Sequence, residues 1–265
     1  MTFKRVLAVS DLHCGNRVGL TPSDLDPPPM VEEDMKWGIQ REEQWNWFKT
    51  NVGKLRDEHQ IDLLLILGDC VDGTSPKAAG RDIIWNQAED QITMATQVIE
   101  SIKAKKIAMV YGTTYHVQNT EKVIASHVGA DIDAHLYPNV DGVQFDIKHK
   151  VGTSKMPYGQ HTPLSRAVIW NQLHAGLVED QPDADIVLRG HAHYHIGASG
   201  VGKGKIWHAW TMPALEGPGS EFGARECDGI VHYGFMHFDV FEDGTWTHQP
   251  HLLIAESTKA QPIYY

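Results

Sequence analysis

Three apolar runs, at 6–9, 61–67 and 106–111, constrain this chain most, because each is too continuous to alternate between core and solvent. A strand of that kind belongs in a sheet covered on both faces, which is the habit of parallel sheets flanked by helices. The intervening segments supply such helices. Trp45, Phe48, Val52 and Leu55 recur at steps of three and four, which places them on one helical face. Ile84, Ala88, Ile92, Ala95, Ile99 and Ile102 form a second stripe that leads into the run at 106–111. The rhythm is βαβαβ, and the fold class is α/β.

The rest of the chain continues in kind. A short helix is expected after Asn119, and Asp141-Gly142 makes a turn into a strand that puts Val143, Phe145, Ile147 and His149 on one face. A helix is expected over 163–177, then strands at 186–188, 206–210 and 231–240, with Asp243-Gly244 closing a late hairpin. The Pro- and Asp-rich stretch at 19–29, with Pro27, Pro28 and Pro29, reads as an exposed loop. With no internal repeat, low-complexity tract or linker, residues 1–265 read as a single domain. The aromatic end, Pro262 to Tyr265, suits a subunit contact or packing on the chain's own core.

Charge and cysteine usage narrow the function classes. A net charge of −11 opposes broad, sequence-independent attraction to nucleic-acid phosphates, although bound cations could still create a local positive site. No apolar run approaches the roughly 20 residues that span a bilayer, and the apolar stretch near Met1 is too short for a signal peptide. Cys14, Cys70 and Cys227 form no CxxC pair, so a reducing cytoplasm is the expected location, and Cys14 and Cys70 read as small buried residues.

Polar residues interrupt the chain where the strands end: Asp11-Leu-His13 after the first, Gly68-Asp69-Cys-Val-Asp72 after the second, and Gly112-Thr113-Thr-Tyr-His116 after the third. His149 and Gly190-His191-Ala-His193 follow later strands in the same way. The crevice beyond the carboxyl ends of such strands is where α/β sheets bind ligands, so residues far apart in sequence would converge there. Carboxylate and imidazole suit Zn, Mn and Fe, and an Asp can join two ions through its two oxygens. A lone Asp-x-His or His-x-His is weak evidence; the ordered set of five is what points to a binuclear centre.

That ordered set resembles the calcineurin-like metallophosphoesterase superfamily over most of the chain. Its Gly-Thr-x-x-His third motif and its size are similar to phage- and prophage-encoded members. The resemblance implies a four-layer αββα sandwich of two mixed β-sheets flanked by helices. It also implies a binuclear metallophosphoesterase in which a hydroxide between the metals attacks the phosphorus. Carried over by position, Asp11, His13 and His193 hold one divalent metal ion, His149 and His191 hold the other, and Asp69 bridges them. The candidate ions are Mn, Zn, Fe or Mg, with Mn favoured. The substrate is a phosphoester, a diester in preference to a monoester, with nucleotides or nucleic acid as candidate sources. The family's third motif has Asn where this chain has Thr113, a poorer ligand, and His116 is the one histidine in that loop. His116 is the expected general acid or phosphate contact, provided that the loop folds back to present it.

Other polar residues take lesser roles. Asp72 is expected to orient a ligand through hydrogen bonds, and His195 to lie beside the site or on the surface. Tyr158, His161 and Arg166 could border a substrate, where an Arg can clamp a phosphate. Two rivals stand against this reading: an amidohydrolase built on His191-x-His193, and a protein-binding scaffold on the same fold. An amidohydrolase would carry its His-x-His on the first strand of a barrel, whereas here the pair comes late. A scaffold would have lost ligands that this chain retains.

Overall fold

A computed structural model describes residues 2–25, 35–75, 80, 82–117, 119–154, 156–178, 181–219 and 231–253. The expected loop at Pro27 to Pro29, Cys227 and the tail from Pro262 lie outside the described residues.

The first sheet is built as the apolar runs dictate. β1 (Phe3–Val9), β2 (Ile61–Ile66), β3 (Lys106–Val110) and β4 (Asp131–Asp133) lie side by side and parallel. The helices α1 (Met35–Glu58), α2 (Ala88–Ile102), the single turn α3 (Thr114–Val117) and α4 (Thr120–Val128) fall between them in sequence. Two late strands, β10 (Tyr233–Phe241) and β11 (Trp246–Leu253), complete this sheet antiparallel, in the order β11-β10-β1-β2-β3-β4. Between β4 and β10 the chain makes a second sheet. Its strands are β5 (Asn139–Val140), β6 (Val143–Lys148), β7 (Ile186–Arg189), β8 (Ile196–Gly202) and β9 (Lys205–Thr211), in the order β5-β6-β7-β9-β8. β6, β7 and β9 run parallel, while β5 and β8 are antiparallel to their neighbours, so both sheets are mixed.

Continuous apolar runs are needed because both faces of each central strand are covered. In β1, Val6 and Ala8 face the second sheet, and Leu7 and Val9 face the helices. The helical side is packed by Trp45, Phe48, Val52 and Leu55 of α1, all buried, together with Met94, Val98 and Ile102 of α2. Between the sheets, Phe145 of β6 meets Phe238 of β10 edge-on, with ring centroids 5.5 Å apart. α5 (His161–Leu177) covers the far face of the second sheet with Leu164 and Val168. The layers are therefore helix, sheet, sheet and helix, the αββα sandwich that the resemblance implies.

The structure departs from the sequence reading at α2 and at β8. α2 begins at Ala88, so Ile84 lies in the loop before it, and the inward stripe is carried by Gln91, Met94, Ala95, Val98, Ile99 and Ile102. Ala95, Ile99 and Ile102 of the expected stripe face inward and Ile84 and Ile92 pack at its margin, while Gln91, Met94 and Val98 complete the face, the first of them hidden by its polarity. β8 escapes notice because its sequence, Ile-Gly-Ala-Ser-Gly-Val-Gly, has the composition of a loop. It is closed by a two-residue turn with positive φ at both Lys203 (47°) and Gly204 (78°), a geometry usually announced by Asn-Gly or Asp-Gly. β11, an edge strand that holds Pro250, pairs with β10 across Asp243-Gly244 as the late hairpin expected there.

Phe145 is fully buried in the layer between the sheets, and no helix shares that layer. Truncation to Ala is expected to cost about 3–5 kcal/mol, the usual range for a buried Phe. A urea titration of wild-type and Phe145→Ala protein checks this; a loss under about 1 kcal/mol would mean that the sheets do not depend on each other through this contact.

Candidate metal centre

Five of the parallel strands deliver polar residues to the same place. Asp11 and His13 follow β1, Asp69 follows β2, Thr113 and His116 follow β3, His149 follows β6, and His191 and His193 follow β7. Backbone hydrogen bonds hold the first two loops together, Asp11 N–H donating to the Gly68 carbonyl and His13 N–H to the Asp69 carbonyl, both at 3.0 Å. The loops come closer than side chains would allow. A Cβ on Gly112 would sit 2.1 Å from Asp69 Oδ1, and one on Gly190 would sit 2.4 Å from Ser10 Oγ and 3.0 Å from His149 Nδ1. Those two glycines are therefore required by contact with the residues that converge.

Five of the converging residues adopt the left-handed backbone region: Asp11 (φ 54°), His13 (45°), Asp69 (51°), His191 (70°) and His193 (54°). Asp and His tolerate this region better than most residues, yet each instance costs about 1–3 kcal/mol and persists only where surroundings enforce it. Such strain concentrates at functional sites.

Three sets of ligand-type atoms lie within 4.8 Å of one another: Asp11, His13 and His193; Asp69, His149 and His191; and His13, Asp69 and His116. The first two are the sets that the sequence analysis assigns to separate ions. Asp69 Oδ2 stands between them, 3.1 Å from His149 Nε2 and 3.9 Å from His13 Nε2. His116 reaches the cluster because α3 turns the chain back, its N–H bonded to the Thr113 carbonyl at 3.0 Å and its ring edge-on to His13 at 4.8 Å between centroids.

The donors fit a metal on their own evidence. His13 Nε2 and His149 Nε2 are buried with no hydrogen-bond partner. The other nitrogen of each ring is held, His13 Nδ1 by Asp72 Oδ1 at 2.8 Å and His149 Nδ1 by the Leu67 carbonyl. A carboxylate and a carbonyl only accept, so Nδ1 carries a proton in each ring, and in the neutral form that binds a metal the lone pair of Nε2 points into the cluster. Bare buried nitrogens are costly unless something meets them, and a cation is what two imidazoles and two carboxylates would meet.

Without cations the same carboxylates hold protons on two of these rings, charge that a metal would replace. Burial would raise the Asp11 carboxyl, but His193 and His13 beside it hold it well below the ordinary carboxylate range. Burial works against protonation of His149 and His193, yet Asp69 and Asp11 lift the former to about 9, and Asp11 with Glu216 lifts the latter to about 10. His191 goes the other way: burial outweighs its carboxylate neighbours and brings it to about 4, so it is neutral at ordinary pH. The cluster is a negative field that draws in positive charge.

Several supporting residues carry no motif in the sequence. Glu216, after β9, places Oε2 3.1 Å from His193 Nδ1 and fixes that ring. Glu121 of α4 is fully buried and accepts the backbone N–H of Cys70 (3.1 Å) and of Gly112 (2.7 Å), which ties together the loops after β2 and β3. Neither could be singled out from the sequence, because a Glu in a loop or on a helix is ordinarily a solvated residue. Thr113 donates its N–H to Asp69 Oδ1 at 2.6 Å and its hydroxyl to the same carboxylate at 2.9 Å, so it orients Asp69. Asp72 holds His13 and, at 3.2 Å, His116 Nδ1, while Asn16 donates to its second oxygen. His195 lies aside, its ring bonded to the Thr211 carbonyl. Tyr158 and Arg166 are solvent-exposed, and the His161 ring donates to the Gly197 carbonyl. Cys14 and Cys70 are buried, and burial pushes the Cys14 thiol up to about 12, so neither is a ready thiolate.

The family model of calcineurin-like phosphoesterases matches residues 4–112, which hold the first two motifs and end at Gly112, where the third begins. No curated protein matches the chain. Among solved structures, a Thermotoga maritima protein is 14% identical, with a TM-score of 0.42, over 94% of this chain and 99% of its own. The NAD nucleotidase of Haemophilus influenzae is 10% identical, with a TM-score of 0.46, over 95% of this chain and 50% of its own. Nuclease MPE of Pseudomonas putida is 13% identical, with a TM-score of 0.35, over 86% of this chain and 83% of its own. Likenesses at these scores carry no argument about activity.

Glu121 makes a pH-dependent contribution that can be measured. Burial raises its carboxyl to about 7, against the two backbone N–H donors that favour the ionised form. A group whose folded pKa lies above its unfolded one stabilises most below the unfolded value, here 4.5, and loses that contribution as pH rises through about 7. In urea unfolding of the metal-free protein from pH 4.5 to 8, Glu121→Gln is expected to flatten the decline by up to about 1.4 kcal/mol per pH unit. Parallel curves for the two proteins would show that Glu121 titrates normally.

Proposed function

We propose that the chain is a metal-dependent phosphoester hydrolase of the calcineurin-like kind, working through a centre for two divalent ions with phosphodiesters preferred over monoesters. The observation that carries this reading is the pair of buried, unpartnered Nε2 atoms, of His13 and His149, on either side of the Asp69 carboxylate. Asp11, His13 and His193 would hold one ion, His149 and His191 the other, and Asp69 both. Manganese is the first candidate for a site of this mixed oxygen and nitrogen character. The diester preference rests on the resemblance to phage-encoded members; residues 1–265 are taken as one domain.

When bound, the two ions supply positive charge to the phosphate oxygens and a water of lowered pKa. The chain's own residues do the positioning. Thr113 and Asp69 lock each other, so the shared carboxylate keeps one orientation. Asp72 and Glu216 fix the His13 and His193 rings from outside, and the Leu67 carbonyl fixes that of His149. His116, with Nδ1 donating to the Asp72 carbonyl at 3.0 Å, keeps its other nitrogen for the substrate. In its protonated form it would deliver a proton to the leaving oxygen, a role worth about 10²–10⁴ in rate.

The test is hydrolysis of a chromogenic phosphodiester and the matching monoester after chelation and refilling with Mn, Zn or Mg, with metal content measured on the same samples. Turnover is expected to return with metal, to be faster on the diester, and to be lost in Asp69→Asn. A protein that binds no metal and turns over neither ester would point to the scaffold. His116→Gln is expected to retain its metal while turnover falls about 10²–10⁴-fold; loss of metal with turnover per bound ion unchanged would make His116 a ligand only.

A further inference from the structure

Four strands end the two sheets among the described residues, and three of them carry the protections that natural edge strands use against pairing with another chain. β4 is three residues long with an Asp at each end, β5 is two residues long, and β11 contains Pro250. β8 has none of these. Its seven residues, Ile196-Gly-Ala-Ser-Gly-Val-Gly202, include no charge and no proline; among the described residues they pair with a strand on one side only, β9, and on the other side the solvent-exposed His161 ring reaches the Gly197 carbonyl at 3.0 Å, a bond that a pairing strand would replace. Ile196 and Ala198 pack toward α5, while Gly197, Ser199 and Val201 are exposed on the other face. Val201 and its cross-strand partner Ile206 are 79% and 62% exposed.

We propose that this edge pairs with β8 of a second copy of the chain, antiparallel about a twofold axis at Ser199. The sequence of the strand is complementary to itself in that register. Ile196 falls opposite Gly202 of the other copy, Gly197 opposite Val201, Ala198 opposite Gly200, and Ser199 opposite Ser199, so every apolar side chain faces a glycine. Val201 gains a further contact, because the Trp210 indole lies where a Gly197 side chain would be, its Nε1 2.7 Å from that Cβ position. The exposed valine of one copy therefore lies beside the indole of the other. A net charge of −11 makes two copies repel through most of their surface, and an uncharged edge is where such a chain can meet itself. An interface of this kind is isologous and closes as a dimer, joining the two five-stranded sheets into one of ten strands.

Light scattering on the eluting full-length protein across about 1–200 µM, a range around common dimer affinities, is expected to show a mass rising toward twice 29.6 kDa. Ser199→Lys sets two ammonium groups face to face at the axis and is expected to weaken the dimer at least about tenfold, like charges directly opposed being destabilising in a sheet. Ser199→Cys gives a readout that does not depend on how well the lysine variant folds. Directly opposed residues have Cα atoms about 4.5–5.5 Å apart, inside the range a disulfide accepts. Mild oxidation is expected to cross-link Ser199→Cys to a covalent dimer, and to leave wild-type and Val201→Cys uncross-linked, since Val201 faces Gly197. A monomer at every concentration overturns the proposal. So does a dimer that Ser199→Lys leaves intact and that Ser199→Cys does not cross-link, because it must form elsewhere.

Discussion

The backbone contact between the loops after β2, β3 and β7 is the constraint on which the rest of the site depends. Asp69 can lie between His13 and His149 only because Gly112 presents no Cβ to its carboxylate, and the loop before His191 can pass Ser10 and His149 only because Gly190 presents none. The Gly112 contact joins two loops of the first sheet, and the Gly190 contact joins the first sheet to the second, both at the carboxyl ends of strands. A larger residue at Gly190 would separate the sheets, and one at Gly112 the loops after β2 and β3, where the ligand-type side chains converge.

That convergence is held against its own cost. Five left-handed Asp and His residues, two bare imidazole nitrogens and several carboxylates in a buried space are each unfavourable alone. What holds them is an outer ring of fixed acceptors and donors: Asp72, Glu216, Thr113, Glu121 and the Leu67 carbonyl. The layered core supplies the rigidity behind that ring, since the strands that end at the site are buried on both faces. Strain of this sort fits a centre that is completed by cations, whose charge would offset the carboxylates and whose bonds would occupy the bare nitrogens.

Motif residues were legible because their chemistry is uncommon at strand ends: an Asp or His directly after an aliphatic run has no packing reason to be there. Their partners were hidden for the opposite reason. Glu121 and Glu216 are of a type that is solvated almost everywhere else, and only the loops that fold over them turn them into buried acceptors. β8 was hidden because three glycines in seven residues carry no pattern, and its place in the sheet comes from pairing with β9. His116 was visible as a residue but not as a placement; the single turn of α3 brings it to His13.

The sequence by itself determined the α/β class and the ligand types, because burial on both faces and the chemistry of carboxylate and imidazole are properties of residues in local order. Tertiary structure alone decided which side chains share one carboxylate, which nitrogens are left bare, and which acids are drawn in behind them. Those outcomes depend on distances between segments more than a hundred residues apart, such as Asp11 and His193, which are set by how two sheets close on each other.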